Sequence, residues 1–536
     1  MDDHGRELGA VRNALTALCA CGVVVFAVGL ALYAVHFGGS AGSAGMQAAL
    51  ALAGIGGAAL LWNRSGPRTL QLVIAVALFA RLALLACQPL QSNDVYRYLW
   101  DGRLLLHGID PYVVPPAATQ LQGLRAGDWL YPHIDWRAVP TLYPPFDLAL
   151  FALGAALTAA SHVASVVPLK AILLCGDLAT IVLLVALLRE EGAPLGRVAL
   201  YAWNPLVIVE FALNGHEEGW AIAWLLATLL ALRQRARLRA GAALAGAVLT
   251  KLYPAAFLPV LFARRTALPG AMACVALVVA AYAPFVLWNR DVFGFLHTFA
   301  FGYHFNDSLH RVLGTEGAAA LFAVAIAIAI RSARAGVPPV ILVLALETAY
   351  LIVSPNVYPW YVAVFVALLP VAPNAFNGPL RPLAFALVAW TALAPLAYLA
   401  PWTFPNGSNA DIALHVLEYA PLALALAVLA ARNARRFVLL FAGASALGGC
   451  AASAHPATGD AVRGAAYYAR NCSVCHTPTR TSFIGPDLSR VAGRRSESDL
   501  AHHIATAVPA SAPLTPEIVR SLLAYFKAYN ERSTHK

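Results

Sequence analysis

The sequence predicts a polytopic all-α membrane protein that ends in a small, polar, all-α domain. Three observations carry that prediction. Of the 536 residues 60% are hydrophobic and only 12% charged, with a mean hydropathy of +0.67, whereas soluble domains are about 25% charged. Apolar runs such as Ala14 to Val35, Ala48 to Trp62, Leu70 to Cys87 and Leu169 to Leu188, with others as far as Leu447, approach or reach the roughly 20 residues that a helix needs to cross a bilayer. Beyond residue 450 the character changes, for Ala451 to Lys536 holds ten Lys/Arg against six Asp/Glu and no spanning run. Two domains follow, residues 1–449 in the lipid bilayer and 450–536 outside it.

The charges orient the membrane part. The formal net charge is +10, but the arginines fall in short clusters between apolar runs, as cytoplasmic loops require, and nucleic-acid binding is not expected. Arg6 and Arg12, Arg64 and Arg68, Arg189 and Arg197, Arg233 to Arg239, Arg331 and Arg334, and Arg432 to Arg436 read as cytoplasmic. The outer face then receives the loop from about Gln88 to Phe146, the turn Asn214 to Glu218, the segment Asn289 to Arg311 and Ser354 to Trp360. The scheme requires Phe146 to Val163 and Gly241 to Phe262 to enter the membrane without crossing it. Ser161-His162 interrupts the first, and Lys251 and Pro254 stand inside the second, where irregular or charged backbone needs cover from protein or a cavity. About 13 crossings result, with the N-terminus inside and the tail outside. Cys19, Cys21, Cys87, Cys175 and Cys274 lie in apolar segments, where a free cysteine acts as a small hydrophobe.

The tail contains Cys472-Ser473-Val474-Cys475-His476, the Cys-x-x-Cys-His pattern of c-type haem attachment. Two thiols so spaced each add to a haem vinyl group, and the following imidazole reaches the iron. A redox dithiol would want a βαβ context and zinc a second pair of ligands; the tail has no second Cys pair. The surroundings, Gly459 to Tyr468 before the motif, Ile484-Gly485-Pro486-Asp487-Leu488 after it, and Leu514-Thr515-Pro516-Glu517 leading to Tyr525, resemble class I cytochrome c domains over the whole tail. The resemblance implies covalent haem c on Cys472 and Cys475, His476 as proximal ligand oriented by the Pro486 carbonyl, and a C-terminal helix from about Pro516. That helix has its own support: Thr515 suits the cap, Pro516 the first turn, and Ile518, Leu522, Tyr525 and Phe526 recur at helical spacing. Where such domains place a Met ligand, Val508-Pro509 stands, and the three methionines are Met1, Met46 and Met272. The sixth position is then left to His502, His503, water or nothing. Ahead of the tail, Arg435-Arg436, an apolar run and Gly448-Gly449-Cys450 resemble a lipoprotein signal, with Cys450 as the lipidated residue; a last transmembrane helix with an incidental cysteine is the alternative.

The outer loop concentrates carboxylates, arginines and aromatics in Ser92-Asn93-Asp94-Val95-Tyr96-Arg97-Tyr98-Leu99-Trp100-Asp101-Gly102-Arg103, Gly108-Ile109-Asp110-Pro111-Tyr112 and Tyr143-Pro144-Pro145. With Trp203-Asn204-Pro205-Leu206, Asn214-Gly215-His216-Glu217-Glu218, Lys251-Leu252-Tyr253-Pro254 and Ser354-Pro355-Asn356-Val357-Tyr358-Pro359-Trp360-Tyr361, it resembles polytopic GT-C-fold glycosyltransferases of the polyprenyl-phosphate-mannose type over about residues 70–400. The resemblance implies inverting transfer of a hexose from a polyprenyl phosphate donor to a hydroxyl on the outer face of a bacterial inner membrane, with the haem tail on the periplasmic side. Such chemistry needs a carboxylate to take the acceptor proton and groups to hold the departing phosphate. Asp94 matches the family's catalytic carboxylate, with Asn93 where a second acid often stands; Arg97, His216 and Lys251 are the candidates for phosphate contacts. The plainer expectations are that Arg97 pairs with Asp101, that His216 is a polar loop residue and that Lys251 snorkels. Two other classes compete: a respiratory oxidoreductase, which needs histidine pairs facing each other in the bilayer, and a transporter or inert anchor for a cytochrome.

Overall fold

The structure, a computed structural model, describes residues 3–36, 40–263, 267–289, 291–301, 303–399 and 409–432, together with Ser521. The described residues are mostly helical, without strands; one isolated parallel bridge joins Phe305 to Asn356. The chain is thus a multi-pass membrane protein of the all-α class.

Among the described residues eight helices are long and apolar enough to cross a bilayer: Gly9–His36, Gly42–Leu61, Pro67–Leu85, Val167–Glu190, Leu268–Asn289, Leu309–Arg334, Arg381–Tyr398 and Ile412–Arg432. The expected figure of about 13 counts apolar runs other than Phe146 to Val163 and Gly241 to Phe262. Several apolar runs prove short or broken, and the causes are local. Pro205 opens a single turn that relaxes into a π-helical turn over Val209–Asn214, closed by Gly215 at φ 77°. The stretch from Gly241 to Phe262 is a helix only to Thr250; Lys251 is extended (φ −139°, ψ 134°), and short turns follow through Pro254. The run from Phe146 gives the 17-residue helix Pro145–Ser161. Neither stretch forms one of those eight helices: Pro145–Ser161 has 17 residues, and in the second the chain leaves the helix at Lys251, ahead of Pro254.

In lipid there is little hydrophobic force between helices, so close approach and satisfied polar groups decide which helices pair. The helix Asp94–Leu106 packs along Pro145–Ser161, and Gly102 makes that approach possible: a Cβ there would lie 2.1 Å from the carbonyl oxygen of Phe151. Glu218–Arg233 packs against both Val167–Glu190 and Arg237–Thr250. Two buried cations find partners inside the bundle. Arg81 and Asp177, both fully buried, form a two-point ion pair at 2.5 and 3.0 Å, and Arg81 also donates to the carbonyl of Ala202 at 2.8 Å. Lys170 donates to the carbonyls of Leu84 and Cys87 at 3.3 and 2.8 Å, at and just beyond the end of the Pro67–Leu85 helix.

Candidate functional site

The motifs of the outer loops meet around one open cleft. Its walls carry Asp94, Arg97, Tyr98, Trp136, Tyr143, Lys251, Phe295, Phe299, Tyr358, Trp360 and Tyr361. Breaks in helical structure present its key polar members. Asp94 is the first residue of its helix, Lys251 is the extended residue after Thr250, and Tyr358 precedes the turn Pro359–Ala363.

Asp94 has about a quarter of its side chain (26%) exposed, with its Oδ2 4.0 Å from Nδ1 of the fully buried His216. Burial is the main cause that pushes its carboxyl up to about 7; the charges of Glu217 and Asp135 add to it, while Lys251 and a hydrogen bond with Ser92 oppose it. A carboxylate tuned to that range suits a general base at neutral pH. Asp135 also titrates above the usual carboxylate range, chiefly through burial, and its Oδ2 accepts from Asn93 Nδ2 at 3.2 Å. The position beside Asp94 that holds Asn93 is thus tied to an acid from the far end of the loop.

His216 is held on every side. Its ring stacks on Trp360 at a centroid distance of 3.7 Å, Nδ1 lies 3.3 Å from the Tyr98 hydroxyl, and Nε2 lies 3.4 Å from Oε2 of buried Glu210. Glu210 in turn accepts from Asn214 at 3.0 Å and Tyr398 at 3.1 Å. The geometry places His216 behind Asp94, backed by Glu210, with no direct opening to the cleft.

Lys251 brings its ammonium 2.5 Å from Glu217 and 2.7 Å from Glu218, and it lies 5.6 and 5.4 Å from the ring centres of Tyr143 and Tyr361. His216, Glu217 and Glu218 have the spacing of a cation site, but the Lys251 ammonium occupies the position between the two carboxylates. Asp147 is a further buried acid in this field, close enough to sense Glu217, Lys251 and Glu218, with no hydrogen-bond partner on either oxygen among the described residues. Sequence reasoning does not single out Glu217, Glu218 or Asp147 as site residues. A signal for them exists: two adjacent acids in an apolar setting, and an acid in the first turn of a Pro-Pro-initiated helix.

Arg97 lines the cleft but is largely committed elsewhere. It donates to Asp101 at 2.8 Å and to the carbonyls of Trp136 and Val139 at 2.9 and 3.0 Å, which is the pairing that its spacing to Asp101 suggests, extended to the loop. Trp203-Asn204-Pro205-Leu206 serves the scaffold: the Asn204 side chain accepts from the Leu206 amide at 3.0 Å, a helix cap, and the Trp203 indole donates to the Val73 carbonyl at 3.0 Å. Of the four candidates, Asp94, Arg97 and Lys251 line one cleft and His216 adjoins it. Cys450, Cys472, Cys475, His476, His502 and His503 lie outside the described residues.

The chain is a helical, multi-pass membrane protein, consistent with a GT-C-like fold, in which a carboxylate and a lysine face an aromatic cleft. Comparison with known proteins bears on that directly: residues 6–267 match the family model for the N-terminal domain of alpha-(1->6)-mannopyranosyltransferases, and all four candidates lie within the match. An alpha-(1->6)-mannopyranosyltransferase of Mycobacterium tuberculosis is 30% identical over 148 residues, 27% of this chain and 24% of the relative. Another, from Corynebacterium glutamicum, is 29% identical over 174 residues, 31% of this chain and 32% of the relative. The chain therefore spans about a quarter to a third of the length of these mannosyltransferase relatives. A cytochrome c-553-like protein of Synechocystis is 38% identical over 72 residues, 13% of this chain and 69% of that relative. This chain is a multi-pass membrane protein whose residues 6–267 are similar to the N-terminal domain of the alpha-(1->6)-mannopyranosyltransferases, and a 72-residue stretch of it is similar in sequence to a cytochrome c-553-like protein.

Proposed function

We propose that the membrane part transfers a hexose, mannose first among the candidates, from a polyprenyl phosphate to an acceptor hydroxyl on the outer face of a bacterial inner membrane, with inversion. The observation that carries this reading is Asp94 at the mouth of an aromatic cleft, beside His216 and facing Lys251, all within the stretch that matches the mannosyltransferase family. Asp94 takes the acceptor proton as the sugar carbon is attacked. His216, braced by Glu210 and Trp360, fixes the carboxylate's surroundings. Lys251 supplies positive charge toward the departing phosphate while Glu217 and Glu218 hold it in place, and Arg97 sets the wall of the loop. The aromatic rings of Trp136, Phe295, Phe299 and Tyr358 offer faces for the sugar and the first isoprene units.

A second chemistry belongs to the tail. Cys472 and Cys475 would hold haem c covalently and His476 would ligate its iron, a donor set whose two thiols and imidazole fit that group; the haem supplies a reversible one-electron site outside the membrane. His502 or His503 would be the sixth ligand if a protein group fills that position, and lipidation at Cys450 would hold the tail to the bilayer. Support for this part is the motif and the 38% identity to the cytochrome c-553-like protein.

The test is direct. Purified protein in detergent, given radiolabelled polyprenyl-phosphate mannose and a short α-mannoside, should form an extended glycoside that the Asp94→Asn protein does not form. No product from any polyprenyl-phosphate hexose would sink the reading.

A further inference from the structure

We propose that His304, Asp307 and His310 form a binding site for a divalent transition ion, zinc by preference, that clasps one wall of the cleft. The three residues recur at every third position through a tight turn. Asn306 adopts the left-handed conformation at φ 53°, and the helix Leu309–Arg334 begins just beyond, so both imidazoles close on the carboxylate between them. His304 Nδ1 lies 3.3 Å and His310 Nδ1 4.0 Å from Asp307 Oδ2, and one ligand atom from each of the three lies within 4.8 Å of the other two. Ligands bound at about 2.0–2.2 Å in a tetrahedral shell stand roughly 3.3–3.6 Å apart. The first pair already has that spacing, His310 must close on Asp307 by less than about 1 Å to reach it, and the two imidazoles on each other by at most about 1.5 Å.

The independent observation is His310 itself. It is 4% exposed, and its Nδ1 has no hydrogen-bond partner among the described residues although it is buried and directed toward Asp307. A buried polar atom without a partner is costly and rare, and a bound cation satisfies it. An ion pair between Asp307 and the nearer, half-exposed His304 leaves this nitrogen unexplained. Asp307 is already oriented to ligate. Arg311 donates to its Oδ1 at 2.9 and 3.1 Å, which fixes the carboxylate and leaves Oδ2 to face the ion, in the way that outer partners fix metal ligands. His304 is about half exposed (47%), which gives an ion a way in and leaves room for water as a fourth ligand. Two imidazoles and a carboxylate favour zinc or a neighbouring first-row ion over magnesium or calcium.

The site has a mechanical consequence. Phe305, between His304 and Asn306, exchanges backbone hydrogen bonds with Pro355 and Val357 at 3.0 and 2.9 Å and stacks on Tyr358 at 4.4 Å, a residue of the cleft wall. An ion that fixes residues 304–310 therefore fixes that wall. The ion site stands apart from the identity of the sugar and from the transfer reaction.

The experiment uses the full chain, purified in detergent without a histidine tag, stripped with a chelator, and titrated with Zn²⁺. Elemental mass spectrometry then counts zinc separately from haem iron. The wild type should retain about one more zinc per chain than His304→Ala or His310→Ala. Asp307→Asn should weaken uptake by about 10- to 100-fold, and His297→Ala, a nearby histidine outside the cluster, should match the wild type. Equal zinc in the wild type and both histidine variants, or none in the reloaded wild type, would overturn the site. Zinc-edge X-ray absorption on the wild type keeps the test decisive if a variant fails to fold: two imidazole ligands support the site, and a shell without imidazole refutes it.

Discussion

The sharpest consequence of the cleft is a pH dependence that belongs to Asp94. Burial, Glu217 and Asp135 raise its carboxyl to about 7. In its proposed role as proton acceptor it works only when ionised, so kcat/KM should climb with pH through 7 and level off about one unit above it. One unit below 7 about a tenth of the chains carry the ionised form, and the rate should fall about tenfold for each further unit. Two substitutions separate this account from a general effect of acid. Asp135→Asn removes one of the charges that disfavour ionisation, so the rising limb should move to lower pH while the plateau changes little. Asp94→Asn keeps the shape of the side chain, and the backbone hydrogen bond from residue 94 to Ser92 Oγ at 3.2 Å survives. It should lower the plateau by about 10²- to 10⁴-fold, the usual worth of a positioned base, and abolish the limb. The assay is initial-rate transfer from a polyprenyl-phosphate sugar between pH 5 and 9, with thermal unfolding as a control for folding. A limb that stays in place in Asp135→Asn, together with a plateau unchanged in Asp94→Asn, would refute the reasoning.

Other expectations rest on particular contacts. Lys251→Met leaves Glu217 and Glu218 buried without their shared cation and should cost about 3–5 kcal/mol, read as a lower midpoint of thermal unfolding in detergent along with loss of transfer. Asp177→Ala strands the buried Arg81 guanidinium and should destabilise by a similar amount, about 3–5 kcal/mol, whereas Arg81→Met with Asp177→Leu should recover most of it; equal loss in the single and double variants would argue against an ion pair. Gly102→Ala forces the helix that carries Asp94 away from Phe151 and should cost about 1–3 kcal/mol, with a larger fall in transfer than in folded protein recovered from membranes. For the tail, haem stain on a denaturing gel should follow the polypeptide and vanish in Cys472→Ala/Cys475→Ala. The ferric form should lack the near-infrared sulfur-to-iron band, since Val508 stands where a Met ligand would.

Much of the molecule follows from properties that are local in sequence. Whether a segment enters a bilayer depends on transfer free energies summed over neighbouring residues, so Leu70 to Cys87 and Leu169 to Leu188 are legible at once, as is the break that Lys251 and Pro254 put into the run from Gly241 to Phe262. Asp94 is singled out by the resemblance of its short polar segment, just outside an apolar helix, to the first outer loop of GT-C-fold glycosyltransferases, and the structure places it on the cleft. What the sequence does not decide is which charges meet. Arg81 and Asp177 lie 96 residues apart, Glu210 and Tyr398 188 apart, and each alone reads as an isolated polar group inside an apolar helix. His216 reads as a phosphate contact and is packed behind Asp94; Arg97 is spent on Asp101 and on carbonyls 39 and 42 residues away; Lys251 finds Glu217 and Glu218 instead of the membrane surface. Ion pairs and stacked rings have steep distance dependence and no signature along the chain. The bundle's close approaches, such as Gly102 on Phe151, bring those groups within reach, and so tertiary packing determined the partners where sequence had supplied the parts.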